Sequence, residues 1–162
     1  MSGSSEDTTQ RLARNINDLL QELRVALAGV QILFGFLLSI VFTVPYQHTT
    51  AVQRGAHLVA VLFAVTSVAL MTAPAAWHRL LFRQGQRPQI LRVSNLFAIG
   101  GLASLALAMS STVFLLADVV LGNWPAIVAC ALTTAWFGVL WFALPLRHRL
   151  TAAAREALRS VR

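Results

Sequence analysis

Four histidines, one cysteine and six carboxylates are spread over 162 residues, and few of them are spaced to act together. Arg54, His57 and Asp118 form the most suggestive group. Arg54 and His57 open one long apolar run and Asp118 closes another, which predicts that all three meet at one membrane face. A histidine near a carboxylate can titrate around physiological pH and serve as a proton switch. A static ion pair or solvated loop charges would account for the same residues.

A second group, Glu22, His78, Arg79 and Arg83, is expected at the opposite face. Arginine hydrogen-bonds phosphate with two parallel donors, so these residues suit an anion or a lipid headgroup. Snorkelling of long side chains at the interface, or a Glu22–Arg79 pair, explains them equally. A third set, Gln31, Ser39, Thr43, Ser104 and Thr112, belongs with Gly35, Gly100 and Ala108 to rows at four-residue steps in two apolar runs. It reads either as a polar track for an ion or as small residues that let helices approach closely.

Catalysis finds little support. His48, His57, His78 and His148 contain no His-x-x-x-His pair, and Cys130 has no partner cysteine. The zinc signature, the Gly-x-Ser-x-Gly elbow and the phosphate-binding glycine loop are all missing from the chain. We therefore expect no enzyme, no metal and no cofactor. No Asp, Glu, Lys or Arg falls near the middle of an apolar run, which disfavours proton-coupled antiport through an embedded carboxylate.

These side chains must be positioned by helices in lipid. Four uncharged runs cover about 25–46, 56–77, 96–117 and 124–146, each near the ~20 residues that a helix needs to cross a bilayer. Unpaired backbone amides are too costly there, so the runs must be helical. The hydrophobic share is 57%, more than a soluble globule of this size covers. The expected fold is all-α, an integral membrane four-helix bundle spanning 25–146, with amphipathic cytoplasmic helices at both termini.

Those terminal helices are expected at 8–24 and 147–162, after a disordered tail at 1–7. Leu12, Ile16, Leu19, Leu20 and Leu23 share their offsets with Leu150, Ala154, Ala157, Leu158 and Val161. Asp18 and Glu22 stand four residues apart on one helix and Arg155 and Arg159 four apart on the other, so the two either pair or lie separately on anionic lipid.

The net charge of +7 comes from thirteen arginines and no lysine. Twelve flank the runs on one side and only Arg54 lies on the other. The positive-inside rule then places both termini in the cytoplasm and the protein in the cytoplasmic membrane. The basic clusters form no soluble module, so nucleic acid is not an expected partner. No cleavable signal peptide is expected, because the first residues are polar and acidic.

The segments Glu22-Leu23-Arg24-Val25-Ala26-Leu27, Gly29-Val30-Gln31, Ala73-Pro74-Ala75-Ala76-Trp77-His78-Arg79-Leu80-Leu81-Phe82-Arg83 and Ala117-Asp118-Val119-Val120 resemble one family. It is the bacterial four-span membrane proteins gathered as DUF6328, whose function is unknown. Ala28 departs from the Leu-Pro-Gly version of its first motif. The resemblance implies membrane location and four helices, and no activity. The functional expectation from the residues is an oligomeric, pH-sensitive ion or small-solute channel. The alternative is a non-conducting adaptor whose terminal helices recruit a cytoplasmic protein.

Overall fold

The computed structural model describes residues 21, 24–81, 87–148, 150 and 151. Helix α1 runs over Arg24–Ile40. A 3-10 turn at Val44–His48 precedes α2 at Ala51–Leu81, α3 at Arg87–Leu121 and α4 at Asn123–Gly138. A π turn at Val139–Ala143 then carries α4 onward, and the helical stretch Asn123–His148 forms one span-length rod. Among the described residues three helices are long and apolar enough to cross a membrane, and α1 has 17 described residues. At 1.5 Å rise per residue that stretch is about 25 Å long, short of a ~30 Å hydrocarbon core. Leu62, Leu107, Leu132 and Trp136 are exposed at mid-helix positions, a surface suited to lipid and not to water. The terminal helices expected at 8–24 and 147–162 fall almost wholly outside the described residues.

Helix boundaries follow caps more closely than hydropathy. The first apolar run extends to Tyr46, yet α1 stops at Ile40. There Phe42 N–H donates to the Ser39 carbonyl and Thr43 N–H to that of Ile40, tightening the last turn. The Thr43 hydroxyl also donates to Ile40 O at 2.7 Å. Pro45, which has no N–H to give, then opens the 3-10 turn. Conversely α2 begins at Ala51, five residues before the expected 56, because Thr50 and Gln53 cap each other. Between α3 and α4 one residue suffices: Gly122 sits at φ +89°, a backbone state that glycine accepts without strain.

Helices α2 and α3 pack as an antiparallel pair. Gln53 at the start of α2 meets Asp118 near the end of α3, and Ser67 and Met71 meet Gly101. On α2 the buried positions are His57, Ala60, Ala64, Ser67, Met71 and Pro74. On α3 they include Ala98, Gly101, Leu105, Ala108 and Leu115. Both stripes alternate steps of three and four. The row expected on α1 is not a seam within the chain: Gln31 and Ser39 are exposed, as is Gly35 between them. The reason is geometric. A step of four overshoots one turn of 3.6 residues by about 40°, so such a row winds off a partner, whereas alternating three and four averages 3.5 and stays in line.

Helix α3 is the middle of the molecule. Ser104, Leu105 and Ala106 are all buried in succession, and three consecutive residues on a helix cannot point to one neighbour. One side meets α2 and the other α4. Helix α1 adds Val30, which joins Ala64, Met71, Ala98, Leu105 and Ala108 in the core, with Leu27, Leu33, Phe34 and Trp141 against it.

Among the described glycines, Gly101 makes the tightest contact. A Cβ built there would lie 2.7 Å from Met71 Cγ and 3.4 Å from both Met71 N and Ser67 O. Ser67, fully buried, donates its hydroxyl across the gap to Gly101 O at 2.8 Å. Other span hydroxyls turn back to their own helix: Thr66 to Leu62 O, Ser110 to Ala106 O, Thr112 to Ala108 O and Thr133 to Ala129 O, each at 2.8 Å. Such back-bonding satisfies a hydroxyl where lipid offers no partner.

Near the end of α4, Pro145 removes the donor that would reach the Trp141 carbonyl. The helix widens just before it, and Leu144 N–H donates to Val139 O, five residues back. The Phe137 and Trp141 rings, centroids 4.7 Å apart, stack on this segment.

Two outcomes are expected. Gly101→Ala should lower stability by about 1–3 kcal/mol in detergent unfolding, the usual cost of overpacking, while Gly35→Ala, with nothing within 4 Å of its added carbon, should not destabilise. Equal stability of the two variants would contradict the close crossing. Pro145→Ala should let the π turn relax to α geometry, rotating Arg147 and His148 by about 100° about the axis. Spin-label accessibility at those positions reads that rotation.

Candidate functional site

The polar residues that the helices bring together lie at the end of the bundle where α1, the 3-10 turn, the start of α2 and the end of α3 converge. Its framework is the capping box of α2. Thr50 N–H donates to Gln53 Oε1 at 3.0 Å, and Gln53 N–H donates to Thr50 Oγ1 at 3.2 Å. Each residue thereby satisfies a backbone donor that a helix start leaves open. The other half of the Gln53 amide is then free to reach outward. Its Nε2 donates to Asp118 Oδ2 on α3 at 3.0 Å. One side chain thus holds the first turn of α2 and ties it to the last turns of α3.

The 3-10 turn is fastened separately. Thr49 donates through both its backbone N–H (3.2 Å) and its hydroxyl (2.7 Å) to Tyr46 O. The Tyr46 ring then stands edge-on to the imidazole of His57, with centroids 5.1 Å apart and planes at 67°. His57 is 5% exposed, and its Nδ1 is buried with no hydrogen-bond partner in the protein. Such an atom is uncommon in a folded protein and calls for a physical account.

The expected trio of Arg54, His57 and Asp118 is therefore gathered at one end, in a different arrangement from a direct pair. Arg54 is exposed, and no ion pair links it to Asp118 among the described residues. Gln53, one position earlier, holds the carboxylate instead. The geometric reason is helical phase: residue 53 is on the α3-facing side of α2 in line with His57 and Ala60, and residue 54 is turned about 100° away. Gln53 was missed in the sequence reading, although Thr-x-x-Gln ahead of an apolar helix is a recognisable N-terminal signal.

The polar-track residues fall on two sides of the molecule. Gln31 and Ser39 are exposed on α1, and Thr43 is exposed in the turn beyond it. Ser104 is buried in α3 and Thr112 half-buried, its hydroxyl committed to Ala108 O at 2.8 Å. Within one chain, α1's three residues and α3's two do not line a common path. Of the group expected at the opposite face, Glu22 and Arg83 lie outside the described residues, as do the side chains of His78 and Arg79. Among the described residues no three His, Cys, Asp or Glu side chains come together as a metal ion would require.

No curated protein and no solved structure matches this chain. A family model does, over residues 5–145, nearly the whole of the chain. Its description carries no activity, so the residues above remain the only basis for a functional reading. The chain belongs to DUF6328, a family of unknown function.

Proposed function

We propose that this chain is a four-span, multi-pass protein of the cytoplasmic membrane, with both termini in the cytoplasm, that assembles with copies of itself. Its role on this reading is a passive, non-catalytic pathway for an ion or small solute at the subunit interface. The observation that carries the proposal is the outward face of α1. Gln31, Gly35 and Ser39 stand in one row on an otherwise apolar helix, exposed, with open space beside Gly35. The core-facing side of the same helix is occupied by Val30, Leu33, Phe34 and Leu37.

A primary amide facing lipid leaves two donors and an acceptor unmet, and hydrocarbon cannot supply partners. Another copy of α1 can, because a glutamine both gives and accepts and so is complementary to itself. The small residues at 35 and 39 let two backbones approach, as small-xxx-small rows do in membranes. Neither row needs a buried charge, which fits spans whose centres carry no Asp, Glu, Lys or Arg. Arginines on the cytoplasmic side would contact anionic headgroups as well as orient the chain.

Association and conduction are tested together. In a Cys130→Ser background, Gly35→Cys should cross-link into a dimer, and adding Gln31→Leu should weaken association about tenfold. That is the effect of losing one interhelical bond worth about 1–2 kcal/mol. Ion flux into proteoliposomes should fall with Gln31→Leu and survive removal of residues 152–162. No cross-link and no flux from folded protein would overturn the pathway reading. Flux lost only with the tail would instead favour an adaptor or gate built on the terminal helices.

A further inference from the structure

We propose that His57 is a proton-operated latch on the outer turn: neutral, it packs under Tyr46; protonated, it takes Asp118 from Gln53 and releases the turn. This deepens the pathway reading by naming its regulation, but the motion itself requires no conduction. The starting observation is the orphaned Nδ1 of His57, an atom without a partner in a side chain that is 5% exposed. In the neutral ring this nitrogen forgoes one hydrogen bond. In the imidazolium both nitrogens are donors, so the same packing would bury a charged N–H with nothing to accept it. The arrangement therefore holds for one protonation state and not for the other.

The groups around the imidazole show where the charged ring would turn. The 3-10 turn contributes Tyr46, edge-on at 5.1 Å, and the exposed His48. From α2 itself come Gln53, one turn toward the helix start, and Arg54, which is exposed. From α3 comes Asp118, the only carboxylate in the sequence between Arg24 and Arg155. The last turns of α1 and the first turns of α4 bring no acid, histidine, lysine or arginine. Among the described residues, Asp118 is thus the one acceptor of matching charge at this end.

It is already engaged, by the neutral amide of Gln53 at 3.0 Å. Residues 53 and 57 are four apart and share a helix face, so a carboxylate reached from one lies within a side-chain rotation of the other. An imidazolium is the stronger partner, since both members of that bond are charged. Gln53 loses only its Nε2 contact in the exchange, because its Oε1 and backbone N–H stay in the capping box. Tyr46 loses the ring against which it packs. The turn at Val44–His48 is then held only by local bonds, from Thr49 to Tyr46 O and from Tyr46 N–H to Thr43 O.

The exchange is read by amide hydrogen–deuterium exchange of the segment 41–50 in lipid nanodiscs, corrected for intrinsic chemistry, from pH 7.5 to pH 5. Protection should fall on acidification, by at most about 30-fold, the ceiling that one ordinary histidine sets over that interval. His48→Gln should keep the response. His57→Gln and Asp118→Asn, each checked for unchanged helicity, should both abolish it. A flat profile in the wild type overturns the proposal. So does a response that survives in either His57→Gln or Asp118→Asn. Because protection is measured without any transported species, a failed flux assay leaves this result standing, and a flat exchange profile leaves the flux result standing.

Discussion

The absence of a side chain at Gly101 sets the distance between α2 and α3, and most of the remaining geometry follows from that distance. In lipid the apolar faces of two helices gain nothing from leaving solvent, because the surrounding chains are equally apolar. Association then rests on dispersion at close range and on hydrogen bonds that lipid cannot replace. At Gly101 both are available: the backbone comes close to Met71 and Ser67, and the Ser67 hydroxyl bonds the Gly101 carbonyl. Two antiparallel helices fixed at one crossing and phased by a three-four stripe have little freedom left at their ends. That is why Gln53 finds Asp118 some fourteen residues along α2 from Ser67.

The same economy of polar contacts runs through the spans. Thr66, Thr72, Ser110, Thr112, Thr133 and Thr134 all donate to a carbonyl of their own helix. These hydroxyls add polarity to the composition without demanding a neighbour. Ser67 is different because Gly101 admits it to the facing backbone. Gln31 is different because an amide cannot be satisfied by one carbonyl a turn away. A hydroxyl in a span is thus weak grounds for a pathway, and an outward amide is stronger grounds for a partner.

Much of the architecture was legible before any coordinates. Long apolar runs identify helices because the bilayer admits little else, and three of the four predicted runs are span-length helices. What hydropathy does not carry is where a helix starts and stops. It reports the solvent of a side chain, whereas Thr50, Gln53, Thr43 and Pro45 set boundaries through backbone donors and acceptors. The row of Gln31 and Ser39 turns away from the rest of the chain for a related reason: steps of four look regular in a string of letters but wind around a cylinder. Arg54, His57 and Asp118 could be assigned to one end because they flank the apolar runs, yet helical phase exchanged Arg54 for Gln53.

That exchange bears on how a bundle with no charge at its centre can respond to protons at all. A carboxylate at mid-membrane would couple proton binding to a solute across the whole membrane, and none falls near the centre of a span. A histidine at the rim instead couples proton binding to the packing of one turn. Direct pairing of Arg54 with Asp118 would have locked the carboxylate with a permanent charge and left His57 nothing to gain. A neutral amide holds the same carboxylate more weakly and without titrating, and it keeps its place in the capping box after letting go. Gln53 is therefore the residue that makes the rim responsive, because the helix start survives the loss of the one bond that an imidazolium can take.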